Sequence, residues 1–174
     1  MTSASCPQKF VERSPGWRRP VVYRDSLTVR PHLFSETLAP TTFELQLVKI
    51  TSIMRVVTLA NVYRPPQTSS AAFVDELADV LVAVTAASDR LLVAGDFNCP
   101  GPTSGTIHPL LVELFESTDM TQYVQCPTRE RNLLDLVAAD SSLSITGITG
   151  ARVDDAGLVV ATLYPSTSVE CVLC

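Results

Sequence analysis

The sequence predicts a single α/β domain, and three stretches carry that prediction. Apolar and polar residues alternate through 43–50 and 55–63, with many β-branched side chains, which is the period-two signature of strands. Phe73, Leu77, Val80, Leu81 and Val84 recur at three- and four-residue spacing, as one face of an amphipathic helix does. Leu91-Leu92-Val93-Ala94 is wholly apolar, as a strand buried on both faces requires. With 174 residues, 46% of them hydrophobic, the chain is large enough to enclose one sizeable core.

Residues 1–19 hold Pro7, Pro15 and Trp17 among basic side chains, show no period, and are expected to form a poorly ordered extension. Strands are expected at 21–24, 28–31, 43–50 and 55–63, with Phe43, Leu45 and Leu47 on one face, so the first half reads as mainly antiparallel β-structure. Ser69 and Ser70 are suited to cap the helix that follows, whose early turns carry Asp75 and Glu76. The apolar strand then delivers Gly95-Asp96-Phe97-Asn98 at its C-terminal end. A Pro/Gly-rich loop over 100–105 leads to a shorter helix near 109–116, and further strands are expected near 134–139, 144–148 and 158–163. The domain is thus expected to span 20–164, with 165–174 as a tail.

Charge and cysteine content narrow the functional classes. Of 13 Lys/Arg and 18 Asp/Glu, residues 1–31 hold six and two, leaving seven against sixteen in the remainder. So acidic a body argues against nonspecific coating of DNA by phosphate neutralisation, while leaving room for a nuclease whose carboxylates hold Mg²⁺. The five cysteines are odd in number, and only Cys171 and Cys174 have a C-x-x-C spacing, with no second pair or histidine nearby, so a zinc site is not expected. Neither a signal-peptide core nor an 18-residue apolar run is present, and the reading is an intracellular protein of nucleus or cytoplasm, neither secreted nor in a membrane.

Three segments concentrate the chemistry: Asn61-Val62-Tyr63-Arg64-Pro65-Pro66, Gly95-Asp96-Phe97-Asn98, and the run from Pro127 through Arg129 and Asn132 to Leu134-Asp135-Leu136-Val137. If the backbone stays extended through 96–98, Asp96 and Asn98 project to the same side and offer a carboxylate beside an amide. That pairing suits phosphate hydrolysis: Asp96 to orient or deprotonate water, Asn98 to donate to a phosphate oxygen or hold the nucleophile. Each segment also has a plain reading, since Gly-Asp-x-Asn makes a good turn and Tyr-Arg-Pro-Pro a good strand terminator. Asp135 is harder to set aside, because a carboxylate in an apolar strand is costly to bury unless it is paired, hydrogen-bonded or metal-bound.

The order of NVYRPP, a helix, LLVAGDFN, then PT and N-x-LDLV resembles the endonuclease/exonuclease/phosphatase superfamily, most closely the endonuclease domain of LINE-type retrotransposons, over residues 21–163. The resemblance implies a four-layer α/β/β/α sandwich of two mainly antiparallel sheets flanked by helices, and Mg²⁺-dependent (or Mn²⁺-dependent) cleavage of a phosphodiester in DNA. It further implies that Tyr63 lies near the scissile phosphate, that Asp96 and Asn98 are the paired aspartate and asparagine, that Asp135 supports the site, and that Arg64 faces the nucleic-acid backbone.

The sequence departs from the family pattern at both ends. The family's opening strand with its asparagine and the following glutamate, its principal metal ligand, have no counterpart here, so the expectation is an N-terminally truncated copy lacking the opening strand and helix. Glu44 aligns with a structural position, and its plain reading is a solvent-facing strand residue. At the other end Asp155 keeps the aspartate of the family's Ser-Asp-His signature, as a catalytic residue and candidate metal ligand, but Ala156 stands where histidine belongs. His32 and His108 read as surface or capping residues. Three functions therefore compete: an endonuclease of retrotransposon descent with impaired activity and weak metal binding, a non-catalytic remnant or binding module, and a phosphatase or abasic-site endonuclease of the same superfamily. Loss of the opening strand also predicts self-association through an exposed sheet edge.

Overall fold

The computed structural model describes residues 8–10, 21–24, 27–32, 39–52, 55–153, 156–164 and 171–173. They form eleven strands and two helices: β1 Gln8–Phe10, β2 Val21–Arg24, β3 Thr28–Pro31, β4 Glu44–Thr51, β5 Val56–Tyr63, α1 Ser70–Ala86, β6 Leu91–Asp96, α2 Pro109–Ser117, β7 Met120–Gln122, β8 Asp135–Asp140, β9 Ser144–Val153, β10 Ala156–Tyr164 and β11 Cys171–Leu173. The α/β class is as the sequence predicts.

One sheet has six strands in the order β3-β4-β5-β6-β8-β7. Its neighbours are antiparallel except β5 and β6, which run parallel because α1 carries the chain back between them. A second sheet has the order β1-β2-β11-β10-β9 and is antiparallel throughout. Gln8–Phe10, in the stretch expected to be an extension, is the strand β1 paired with β2, and Cys171–Leu173, in the expected tail, is β11 between β10 and β2.

The six-stranded sheet is buried through its central strands. Phe73, Val74, Leu77, Val80, Leu81 and Val84 form the buried face of α1, and Leu111, Leu114 and Phe115 that of α2. A chain of edge-to-face aromatic contacts ties the helices to the sheet: Phe43 to Phe73 at 5.2 Å, Phe73 to Phe97 at 6.0 Å and Phe97 to Phe115 at 6.2 Å between centroids. Phe97 directly follows β6, so this packing fixes where the end of β6 sits.

Two caps differ in how they work. His108 is the N-cap of α2, and its Nδ1 accepts from the Leu110 amide at 3.3 Å, with Pro109 opening the helix. Ser69 is the N-cap of α1 by position but makes no capping hydrogen bond. Instead, Glu76 reaches from the first turns of α1 to the start of β4 and accepts from Thr41 N and Thr42 N at 2.9 Å each, and from both hydroxyls. Burial pushes the Glu76 carboxyl up, but these donors outweigh it and hold the pKa at about 2 against an ordinary 4.5. Among the described residues no helix is long and apolar enough to cross a membrane.

Candidate active site

Register brings four chemistry-bearing side chains into one row at the ends of four strands. Glu44 on β4 pairs with Tyr63 on β5, Tyr63 with Asp96 on β6, and Asp96 with Asp135 on β8. Residues directly opposite one another share a face, so the row presents Glu44, Tyr63, Asp96 and Asp135 side by side, at the inter-strand spacing of about 4.8 Å. One step into the sheet, Gln46 and Asn61 form a second polar pair on the same face, Asn61 Nδ2 donating to Gln46 Oε1 at 3.3 Å. Glu44 and Tyr63 are half-buried, whereas Asp96 is 1% exposed and Asp135 2%.

The two aspartates meet at the closest kind of cross-strand position. The Phe97 amide donates to Leu134 O at 2.8 Å, one residue outside the pair, while Asp96 O accepts from Arg64 N at 2.9 Å and Asp135 N donates to Thr128 Oγ1 at 3.0 Å. Asp96 and Asp135 therefore do not bond to each other's backbone and form a non-hydrogen-bonded pair, with Cα atoms about 4.5 Å apart in general geometry. Like charges placed directly opposite repel, so the arrangement calls for compensation. For Asp96 part of it is present: Arg129 Nη2 lies 3.2 Å from Oδ2 and the Asn98 amide donates to Oδ1 at 3.1 Å. Asp135 Oδ2, by contrast, is among the three buried side-chain polar atoms without a hydrogen-bond partner in the described residues.

The glycine before Asp96 is required by contact. Gly95 has φ +143°, and a Cβ there would stand 1.9 Å from the Val62 carbonyl oxygen, so only glycine lets β6 close on β5 at this level. The chain does not stay extended through Asn98. β6 ends at Asp96, and Asn98 adopts φ 43°, a left-handed value that asparagine tolerates. The Asn98 amide folding back on Asp96 Oδ1 makes an Asx turn, so the turn reading and the site reading of GDFN hold together.

Arg64 takes a different place from the one expected. It is 3% exposed, and its guanidinium turns inward, donating from Nη1 to Asn98 O and from Nη2 to Thr68 O and to Ser70 Oγ at 3.2 Å, with its Cζ 5.4 Å from the centroid of the Phe73 ring. The Asn98 side chain answers by donating to Arg64 O at 2.8 Å. Arg64 therefore locks the YRPP and GDFN turns together and does not present its charge to a backbone outside; the reason is that the turn carbonyls it faces are buried and need donors.

Sequence reasoning singled out Tyr63, Asp96, Asn98 and Asp135, and the fold brings these four together. Asp155 lies outside the described residues. Two contributors were not singled out. Thr128 Oγ1 accepts from both Leu134 N at 3.1 Å and Asp135 N, anchoring the loop before β8. Arg129 is held over Asp96 by that loop, which closes through Arg129 N and O bonded to Asn132 and through Glu130 at φ 54°. The signal available in sequence was the PT dipeptide six residues ahead of LD, which fixes Thr128 but not where Arg129 points.

No protein-family model matches the chain, and no curated protein matches it. Among solved structures it is similar to the endonuclease domain of TRAS1, a telomere-specific non-LTR retrotransposon, at 15% identity and a TM-score of 0.56, over 84% of this chain and 65% of that one. A second likeness is to an endonuclease/exonuclease/phosphatase family protein from Bacteroides thetaiotaomicron, at 11% identity and a TM-score of 0.45, over 97% of this chain and 66% of that one. The chain thus spans just under two thirds of the length of either.

Proposed function

We propose that this chain, which has the endonuclease/exonuclease/phosphatase type of α/β fold, carries the phosphodiester-hydrolysis site of a DNA-nicking retrotransposon endonuclease in a weakened form. The observation that carries the reading is the strand-end row, with Tyr63, Asp96 and Asp135 in consecutive register and Asn98 turned onto Asp96. Asp96 orients and deprotonates the attacking water, Asn98 fixes Asp96 through its amide, Tyr63 contacts the phosphate, and Asp135 supports Asp96 from the next strand.

Such chemistry in this fold uses a divalent cation, and the donor set fits one partly. Among the described residues no three His, Cys, Asp or Glu cluster as a metal cage. Asp96 and Asp135 nevertheless supply two facing carboxylates, one with an orphaned buried oxygen, and Mg²⁺ is held by one or two carboxylates with water and substrate phosphate completing its shell. When bound, the cation offsets charge developing on the phosphate oxygens. Asp155 is a further proposed ligand. Ala156 in place of histidine accounts for the weakening, since such a group is worth about 10²–10⁴ in rate.

The test is nicking of supercoiled plasmid by purified protein under Mg²⁺ or Mn²⁺ titration. The expected outcome is slow nicking that needs the metal and is lost in Asp96→Ala. Nicking that survives Asp96→Ala, or proceeds in chelator, contradicts the reading. Absence of any nicking favours the second reading, a non-catalytic remnant or binding module, which the Arg129 ion pair to Asp96 also supports.

A further inference from the structure

Arg129 and Asp96 are unequal partners. The carboxylate is 1% exposed and lies at the end of a buried strand, while the guanidinium that reaches it belongs to a side chain 40% exposed on a surface loop. The loop is anchored on both sides, by Thr128 Oγ1 on the amides of Leu134 and Asp135 and by the Thr128 and Arg129 amides on Asn132 O, so the backbone delivers the arginine while its side chain spans the rest. Beside the contact stands Asp135, whose Oδ2 is buried without a hydrogen-bond partner. Two carboxylates opposite each other in register, one contacted by a partly exposed guanidinium and the other with an unsatisfied oxygen, form a site to which a side chain able to withdraw into water contributes positive charge.

We propose that Arg129 is a displaceable counter-cation of the aspartate pair. Its guanidinium on Asp96 and a divalent cation between Asp96 and Asp135 compete for the same carboxylate, so that Arg129 sets the metal affinity of the site. This rests on the metal-dependent reading above and adds to it a residue that regulates metal entry. The geometry favours exchange over a permanent bridge: Arg129 Nη2 stands 3.2 Å from Asp96 Oδ2, longer than the contacts of the paired fork that makes arginine–carboxylate pairs strong.

The experiment measures Mn²⁺ affinity of the full chain by the loss of the free-ion electron paramagnetic resonance signal, for the parent and for Arg129→Gln, Arg129→Lys and Asp96→Asn, with far-ultraviolet circular dichroism to check folding. The expected result is Asp96-dependent binding in the parent, binding about fivefold tighter in Arg129→Gln, and parent-like binding in Arg129→Lys. Equal or weaker binding in a folded Arg129→Gln overturns the counter-cation role and leaves the metal site standing. Binding that is absent, or indifferent to Asp96→Asn, overturns the metal reading and this inference with it. In the parent chain alone, Mg²⁺ saturation is expected to shift the Arg129 Nε–H resonance, identified from the spectrum of Arg129→Lys; an unmoved resonance counts against displacement.

Discussion

The same four strands carry two very different rows of side chains. Deep in the sheet, Val48, Leu59 and Leu92 stand in one cross-strand row with Ala139, all fully buried and all apolar. At the strand ends, Glu44, Tyr63, Asp96 and Asp135 stand in another, and its two aspartates are nearly as buried yet carry carboxylates. Both rows follow the strand register, so the contrast lies in the side chains. Apolar burial contributes stability at about 25 cal/mol per Å², whereas a buried charged pair is at best neutral against hydrophobic replacements. On the proposed reading, the strand-end row is retained for chemistry at a cost in stability.

This contrast can be sharpened by substitution. The largest loss is expected in the deep row: Leu92→Ala removes a fully buried side chain between β5 and β8 and should cost about 2–5 kcal/mol in urea unfolding. A loss below about 1 kcal/mol would mean the sheet is more loosely packed than described. Next comes the lock between the two turns. Arg64→Met keeps the stem over Phe73 but strips donors from Asn98 O and Thr68 O, and about 1–3 kcal/mol is expected. Because the same change frees the turn carrying Asn98, any nicking activity should fall further than stability does.

The smallest effect lies away from both rows and depends on pH. Glu76 has its pKa depressed from 4.5 to about 2 by donors from Thr41 and Thr42 that exist only in the folded chain. A depressed carboxyl contributes stability that is fully present above about pH 4.5 and is lost as pH falls towards about 2. Glu76→Gln should therefore lower Tm modestly at pH 7, and the difference from the parent should shrink at pH 3. A gap that persists unchanged at pH 3 would show that Glu76 acts through packing alone.

Where local pattern governs, the chain could be read directly. The spacing of Phe73, Leu77, Val80, Leu81 and Val84 gave away α1, and the apolar burst at Leu91 gave away β6, because burial on a helix face or within a sheet leaves a period in the sequence. β7 was not seen, since three residues hold no period. The parallel pairing of β5 with β6 interrupts the antiparallel pattern and follows from α1 joining them, a matter of topology. At the site, the types and order of Tyr63, Asp96, Asn98 and Asp135 were legible, but their arrangement was not. Asn98 leaves the strand because an Asx turn to Asp96 competes with extension. Arg64 points inward because nearby carbonyls need donors, and Arg129 reaches Asp96 across 33 residues of chain through a loop whose course no local pattern encodes.

The central claim is that the strand-end row exists for chemistry, and Asp135→Asn tests it most directly. The substitution keeps the shape of the side chain and the Asp135 amide bond to Thr128, and removes one of two facing carboxylate charges. If the row serves a site at the expense of stability, urea unfolding at pH 7 should show stability unchanged or raised by about 1 kcal/mol. A fall of about 3 kcal/mol or more would mean that the carboxylate is a structural anchor, and the reading of this row as a site would be contradicted.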